Sequence, residues 1–167
     1  MTFTIVPLRL EDGVSLSHLF KLIGWEKPLS LFQAYLQEQQ EGKRNAYVAK
    51  LDNITVGYIT IQWQSEYLYF QKRGIPEIKD LNVLPAYHLQ GFGKALLSYA
   101  EEKVRQRTTL VGIGVGLTKD YGAAQILYVK QGYIPNGEGI THHYQMLRYG
   151  DNVKIDDDTV LWLTKDL

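Results

Sequence analysis

Two kinds of strand connection that cannot be built the same way constrain this chain more than any other feature. Ala46 to Leu51 and Ile54 to Trp63 are β-branched and aromatic runs joined only by Asp52-Asn53. Asx residues tolerate the positive φ of a two-residue connection, so the pair predicts an antiparallel hairpin. From Glu77 the pattern changes to strand, helix, strand, helix, strand: Glu77 to Val83, Gln90 to about Arg107, Leu110 to Val115, Asp120 to Gln131, and Tyr133-Ile134-Pro135. Helices between strands predict parallel pairing through right-handed crossovers. A sheet that satisfies both is mixed. The expectation is an α/β (α+β) fold, with a central mixed, mostly antiparallel sheet of about seven strands flanked by about four helices, in a single domain over residues 1–167.

The remaining elements follow from periodicity. Thr2 to Leu8 alternates and reads as a first strand, ended by Pro7 and a turn around Asp12-Gly13. Leu16, Leu19, Phe20 and Ile23 recur at helical spacing before a stop at Gly24; Leu31, Phe32, Tyr35 and Leu36 do so between Pro28 and Gly42. In the helix from Gln90, Phe92, Ala95, Leu96 and Tyr99 form a stripe that Leu97, Ala100 and Val104 widen. Asp120 can cap the next helix, with Ala124, Leu127 and Tyr128 inward. Asn136 to Asp158 reads as one long irregular stretch, and Thr159 to Thr164 as the last strand.

Composition narrows the chemistry. Eighteen basic residues balance 18 acidic ones, so there is no sequence-independent pull toward phosphate backbones and nucleic acid is not an expected partner. The absence of cysteine removes disulfides, thiolate metal sites and a catalytic thiol. The N-terminus lacks a basic start followed by an apolar run, and no stretch approaches the ~20 apolar residues of a membrane span, so a cytoplasmic protein without a membrane partner is the default expectation. His142-His143 and Asp156-Asp157-Asp158 invite a metal reading. Adjacent strand residues point to opposite faces and no third ligand stands at a convincing spacing, so no metal is expected.

The most informative segment is His88-Leu89-Gln90-Gly91-Phe92-Gly93-Lys94-Ala95, between a strand and an amphipathic helix. Glycines let a backbone approach a ligand, the first-turn amides have no helical acceptors, and the helix dipole favours an anion there by roughly 0.3–1 kcal/mol per contact. Several such amides together can cradle a diphosphate. Two glycines alone are better explained by a tight turn and close helix packing. The segment is not a dinucleotide fingerprint, which needs G-x-G-x-x-G and a later acidic residue. Gly112, Gly114 and Gly116 strip side chains from one face of a strand, which suits close approach of a ligand or of a helix.

Read together, Glu77 to Val83, His88 to Lys94, and Ala124-Gln125-Ile126-Leu127-Tyr128-Val129-Lys130-Gln131-Gly132-Tyr133 resemble the GNAT superfamily of acetyl-CoA-dependent N-acetyltransferases. The resemblance covers about Glu77 to Pro135 and implies acetyl-CoA as cosubstrate. It assigns cofactor contacts to Leu81, Asn82, Val83, to His88, Leu89, Gln90, Gly91, Phe92, Gly93 and Lys94, and to Tyr121 and Ala124. Two positions depart from the family pattern. His88 stands where Q/R opens the Q/R-x-x-G-x-G/A signature, and Tyr121 where an asparagine often begins the last helix motif.

The resemblance also implies a mechanism. The strand around Leu81 and Val83 is expected to splay from that around Ile113, so that freed backbone groups bind the pantetheine. A lysine-like amine has pKa ~10.4, so at pH 7 holding it neutral costs about 4.6 kcal/mol and a base is needed. Glu77 matches the glutamate of the histone acetyltransferase branch; Asp80, expected on the opposite face of the same strand, is the alternative. Tyr128 matches the tyrosine facing the departing sulfur, as a hydrogen-bond donor. Trp25 and Tyr67 are the candidate acceptor wall. Small-molecule amines, protein or peptide amines, and a non-catalytic CoA-binding module are the readings of function, the first favoured by neutral charge and an aromatic-rich first half. Many relatives are homodimers, and an exposed strand edge near the C-terminus offers one way to pair.

Overall fold

The computed structural model describes residues 1–167. Eight strands and five α-helices divide into two compact units: residues 1–63 with 78–103, and residues 64–77 with 104–167. Counts of about seven and about four are thus close, and the α/β class holds.

The first unit contains β1 (Phe3–Pro7), β2 (Arg44–Leu51), β3 (Ile54–Gln62) and most of β4 (Glu77–Val83), hydrogen-bonded in that order, with α1 (Leu10–Leu22), α2 (Leu29–Gln40) and most of α4 (Phe92–Arg105). β1 pairs antiparallel with β2, and β2 with β3. Asp52 and Asn53 adopt φ of +48° and +68°, the mirror-image turn that the Asx pair allows. Leu16 and Phe20 of α1 and Phe32 and Tyr35 of α2 bury against Ala46, Val48, Tyr58 and Leu84. Alternation sends Tyr47 to the other face, where it meets Tyr99 of α4 with ring centroids 5.0 Å apart.

The expected turn at Asp12-Gly13 is corrected: both lie inside α1. The Asp12 carboxylate accepts the Arg9 amide at 3.0 Å, closing the helix start, and pairs with Lys50 Nζ at 2.6 Å. A Cβ on Gly13 would stand 2.7 Å from Phe32 Cβ, so glycine serves helix packing here and not a turn.

The second unit holds α3 (Leu68–Arg73), β5 (Leu110–Gly116), α5 (Gly122–Lys130), β6 (Ile134–His142), β7 (Gln145–Met146) and β8 (Thr159–Asp166), with strand order β5-β8-β6-β7. β5 and β6, joined through α5, do not pair in parallel as expected. β8 inserts between them, antiparallel to both. The stretch expected to be irregular from Asn136 is ordered as far as Met146. Residues 136–139 bulge opposite Trp162 alone, with φ of +87° at Gly137 and +77° at Gly139, and that bulge hides the strand's alternation. Nor does Asp120 cap α5; a 3-10 turn over Lys119–Tyr121 precedes it and no side chain caps either element. No helix is long and apolar enough to cross a membrane.

Candidate active site

The candidate residues form two sets, one in each unit.

In the first unit, β4 leads through a 3-10 turn at Pro85–Tyr87 into the glycine segment and α4. The first helical bond is Ala95 N–H to Gly91 C=O at 2.9 Å, so the amides of Phe92, Gly93 and Lys94 precede the ladder. Leu89 and Gly91 have φ of +59° and +87°, and Leu89 is fully exposed. An apolar residue held in the left-handed region and turned outward fits a segment shaped for what it binds rather than for its own packing. His88 folds back, its Nε2 bonded to the Val83 carbonyl at 2.7 Å, and Gln90 Nε2 donates to Ala86 C=O at 3.2 Å. Both side chains therefore brace the turn from within. The Phe92, Gly93 and Lys94 amides suit a pyrophosphate without requiring a cationic side chain.

Leu81, Asn82 and Val83 are half-buried. A Cβ on Gly57 would lie 2.6 Å from the Asn82 carbonyl, so β3 and β4 approach closely there, and Asn82 Nδ2 donates to Tyr58 OH at 3.1 Å. Asp80 has φ +56°. The period-two rule used to place it opposite Glu77 therefore does not hold at this position. Its carboxylate accepts the Tyr35 hydroxyl. Burial, and then the Asp80 charge, push the Tyr35 and Tyr58 phenols far above their ordinary range, so Tyr35 acts only as a donor. Trp25, 40 % exposed, stacks on Phe20 at 5.6 Å and lines a cavity of about 360 Å³ with Ser17, Lys21, Glu26, Lys27 and Leu29, between α1 and α2.

In the second unit, Glu77 is buried at 3 % exposure. Its Oε2 accepts the Ser65 hydroxyl at 2.6 Å, and Ser65 Oγ accepts the Tyr67 amide at 3.0 Å. A carboxylate so fixed is oriented rather than solvated, the opposite of a free strand end. Tyr67 is itself buried, stacked on Trp162 at 4.2 Å with the planes 7° apart, and its hydroxyl accepts Asn136 Nδ2 at 3.2 Å; burial raises its phenol. Tyr128 is buried on α5, 5.9 Å from the Tyr133 ring, and Ala124 is half-buried one turn earlier. Tyr121 covers Gly116, where a Cβ would stand 2.4 Å from its ring, and donates to Asp157 Oδ1 at 2.9 Å.

The β5 glycines thus accommodate side chains: Phe70 over Gly112, Val160 and Trp162 over Gly114, and Tyr121 over Gly116. Sequence reasoning missed Ser65 and the Tyr35–Asp80 bond. Ser65 carries no local signal, and Tyr35 reads simply as part of the inner stripe of α2.

The acetyltransferase (GNAT) domain family matches residues 42–135, more than half of the chain. The fold is similar to that of a putative GNAT acetyltransferase from Desulfovibrio desulfuricans, with TM-score 0.73, 16 % identity, and 99 % of each chain covered. It is also similar to a ribosomal-protein-alanine N-acetyltransferase from Brucella melitensis (TM-score 0.71, 18 % identity, 98 % of this chain and 99 % of that one). A third is yncA of Salmonella typhimurium, a putative acetyltransferase solved with its cofactor acetyl-CoA (TM-score 0.70, 15 % identity, 99 % of this chain and 94 % of that one). No curated protein matches the sequence. The family match, with the glycine segment opening α4 and the fold these solved structures share, makes the chain a member of the GNAT family of acetyltransferases.

Proposed function

We propose that this acetyltransferase moves the acetyl group of acetyl-CoA to a primary amine of a small molecule by direct attack in a ternary complex. The observation that carries the choice of acceptor is the cavity beside Trp25. About 360 Å³ falls within the range of small-molecule sites, and its rim combines an aromatic face with Glu26, Lys21 and Lys27. A carboxylate there can hold an ammonium while the amines hold an acidic group of the same molecule.

The amides at the start of α4 receive the pyrophosphate, and Leu81 to Val83 offer backbone groups to the pantetheine. Glu77 takes the proton from the amine, directly or through a water. Its Ser65 bond fixes the carboxylate, and orientation is a large part of what such a site supplies. Asp80 is the alternative base, although Tyr35 already engages it. The Tyr128 hydroxyl donates to the departing sulfur. A thiol near pKa ~8.5 and a phenol near ~10 favour a hydrogen bond over full proton transfer. With no cysteine in the chain, an acetyl-cysteine intermediate is impossible. A cytoplasmic setting fits this chemistry.

The test is a thiol-release screen with acetyl-CoA against polyamines, aminoglycosides, amino acids and peptides. Release with small amines is expected. Release with peptides alone moves the acceptor to proteins, and acetyl-CoA binding without release over the whole panel makes the chain a non-catalytic CoA module. A stable acetyl-enzyme contradicts direct attack.

A further inference from the structure

The second unit carries a cluster that the acetyl-transfer reading leaves unused. His142 ends β6, and His143 and Tyr144 make the turn into β7 with φ of +47° and +64°. Those dihedrals break the strand alternation that sends neighbouring side chains to opposite faces. The expectation that the two histidines point apart is therefore corrected. Their rings lie 4.2 Å apart at 61°, and both face the segment that precedes β8. His142 Nε2 stands 3.2 Å from Asp156 Oδ1, and His143 Nδ1 stands 3.3 Å from Asp158 Oδ2. One donor atom from each of His142, His143 and Asp156 lies within 4.8 Å of the others.

We propose that His142, His143 and Asp156 bind one divalent first-row transition metal of the zinc type. Two imidazoles and a carboxylate are the borderline donor set that such ions select over magnesium or calcium. Bonds of about 2.0–2.2 Å in a tetrahedron place ligand atoms about 3.3–3.5 Å apart. The His142–Asp156 separations, 3.2 Å to Oδ1 and 3.4 Å to Oδ2, are already close to that length, and that pair is the more sheltered one, with side-chain exposures of 16 % and 35 %. The 63 % exposed His143 is free to turn the short distance that remains. Asp158 then holds His143 in place, as carboxylates behind metal-bound imidazoles do. Three protein ligands leave the fourth position to water. The ion ties the β6–β7 turn to the residues before β8. With no cysteine in the chain, these imidazoles face no thiolate competitor.

Calorimetric titration of the untagged full chain with zinc chloride, and absorption of the same chain with cobalt chloride, test the site. One ion per chain is expected, with visible cobalt bands of a four-coordinate nitrogen and oxygen site. His142→Ala and Asp156→Asn should each weaken binding by at least the ~10–100-fold that loss of an outer partner of a metal ligand costs. His18→Ala should leave it unchanged. Asp156→Asn keeps the side-chain shape, and a metal-free melt equal to wild type confirms that its loss of affinity is local. Imidazole NMR of the wild-type chain gives a second readout independent of any variant: zinc should shift His142 and His143 and spare His18 and His88. No binding, binding untouched by Asp156→Asn, or shifts at His18 or His88 instead would overturn the proposal.

Discussion

The two sets of glycines look alike in the sequence and do opposite work. At Gly91 a Cβ would meet nothing within 4 Å, and the residue is needed for its φ of +87°. At Gly112 a Cβ would stand 2.1 Å from the Phe70 ring, and the residue is needed for its missing atom. The contrast extends to the units that contain them. The candidate binding element of the first unit is backbone, bent into unusual dihedrals and left exposed. In the second unit the candidate chemistry is carried by side chains, Glu77 and Tyr128, packed and bonded into place. One depends on conformation, the other on packing.

That division can be broken by experiment, and the largest effect is expected on the side-chain half. Glu77→Gln should lower kcat about 100-fold with the KM for acetyl-CoA nearly unchanged. If turnover survives and Asp80→Asn abolishes it, the base moves to the other unit and the division of labour fails. Next in size is Gly112→Ala. Overpacking against Phe70 should cost about 1–3 kcal/mol in denaturant unfolding, with partial recovery in Gly112→Ala/Phe70→Leu. Acetyl-CoA affinity of the folded variant should not change; a loss there would return β5 to the ligand-binding reading. Tyr128→Phe should cut turnover roughly 10-fold, about 1.4 kcal/mol, while acetyl-CoA affinity holds. An unchanged rate removes the phenol from the mechanism.

Smaller effects probe the backbone half. Gly91→Ala should destabilise by about 1 kcal/mol through its left-handed φ and weaken acetyl-CoA binding several-fold, and Gly91→Asn less, because asparagine tolerates that region. Equal effects of alanine and asparagine would point to space rather than dihedral as the constraint. His88→Gln is expected to be the mildest. If amides hold the pyrophosphate, titration calorimetry should find affinity within about twofold of wild type. A large loss would give the imidazole a direct part in binding.

Much of this was legible without coordinates. The hairpin at Asp52-Asn53, the limits of β4, the stripe of α4 and the glycine segment all follow from local chemistry, where dihedral tolerance and periodicity act over a few residues. The family resemblance rests on Glu77 to Pro135, which the family match over residues 42–135 contains entirely. Charge balance and the absence of cysteine likewise belong to the sequence alone, and both bear directly on mechanism.

Partnerships between distant residues were decided only by the tertiary structure. Nothing near Gly13 announces Phe32, nothing near Ser65 announces Glu77, and nothing in β8 announces that it separates β5 from β6. Helical α3 was invisible because six residues are too few to show a period, and the continuation of β6 beyond Pro135 because a four-residue bulge interrupts its alternation. His142 and His143 were set apart by a rule that holds only for extended backbone, and the positive φ of His143 brings them to the same side. A sequence states what each residue tolerates locally. Which atoms then meet depends on how the strands are ordered and where they bulge, and that is settled by the packing of the whole chain.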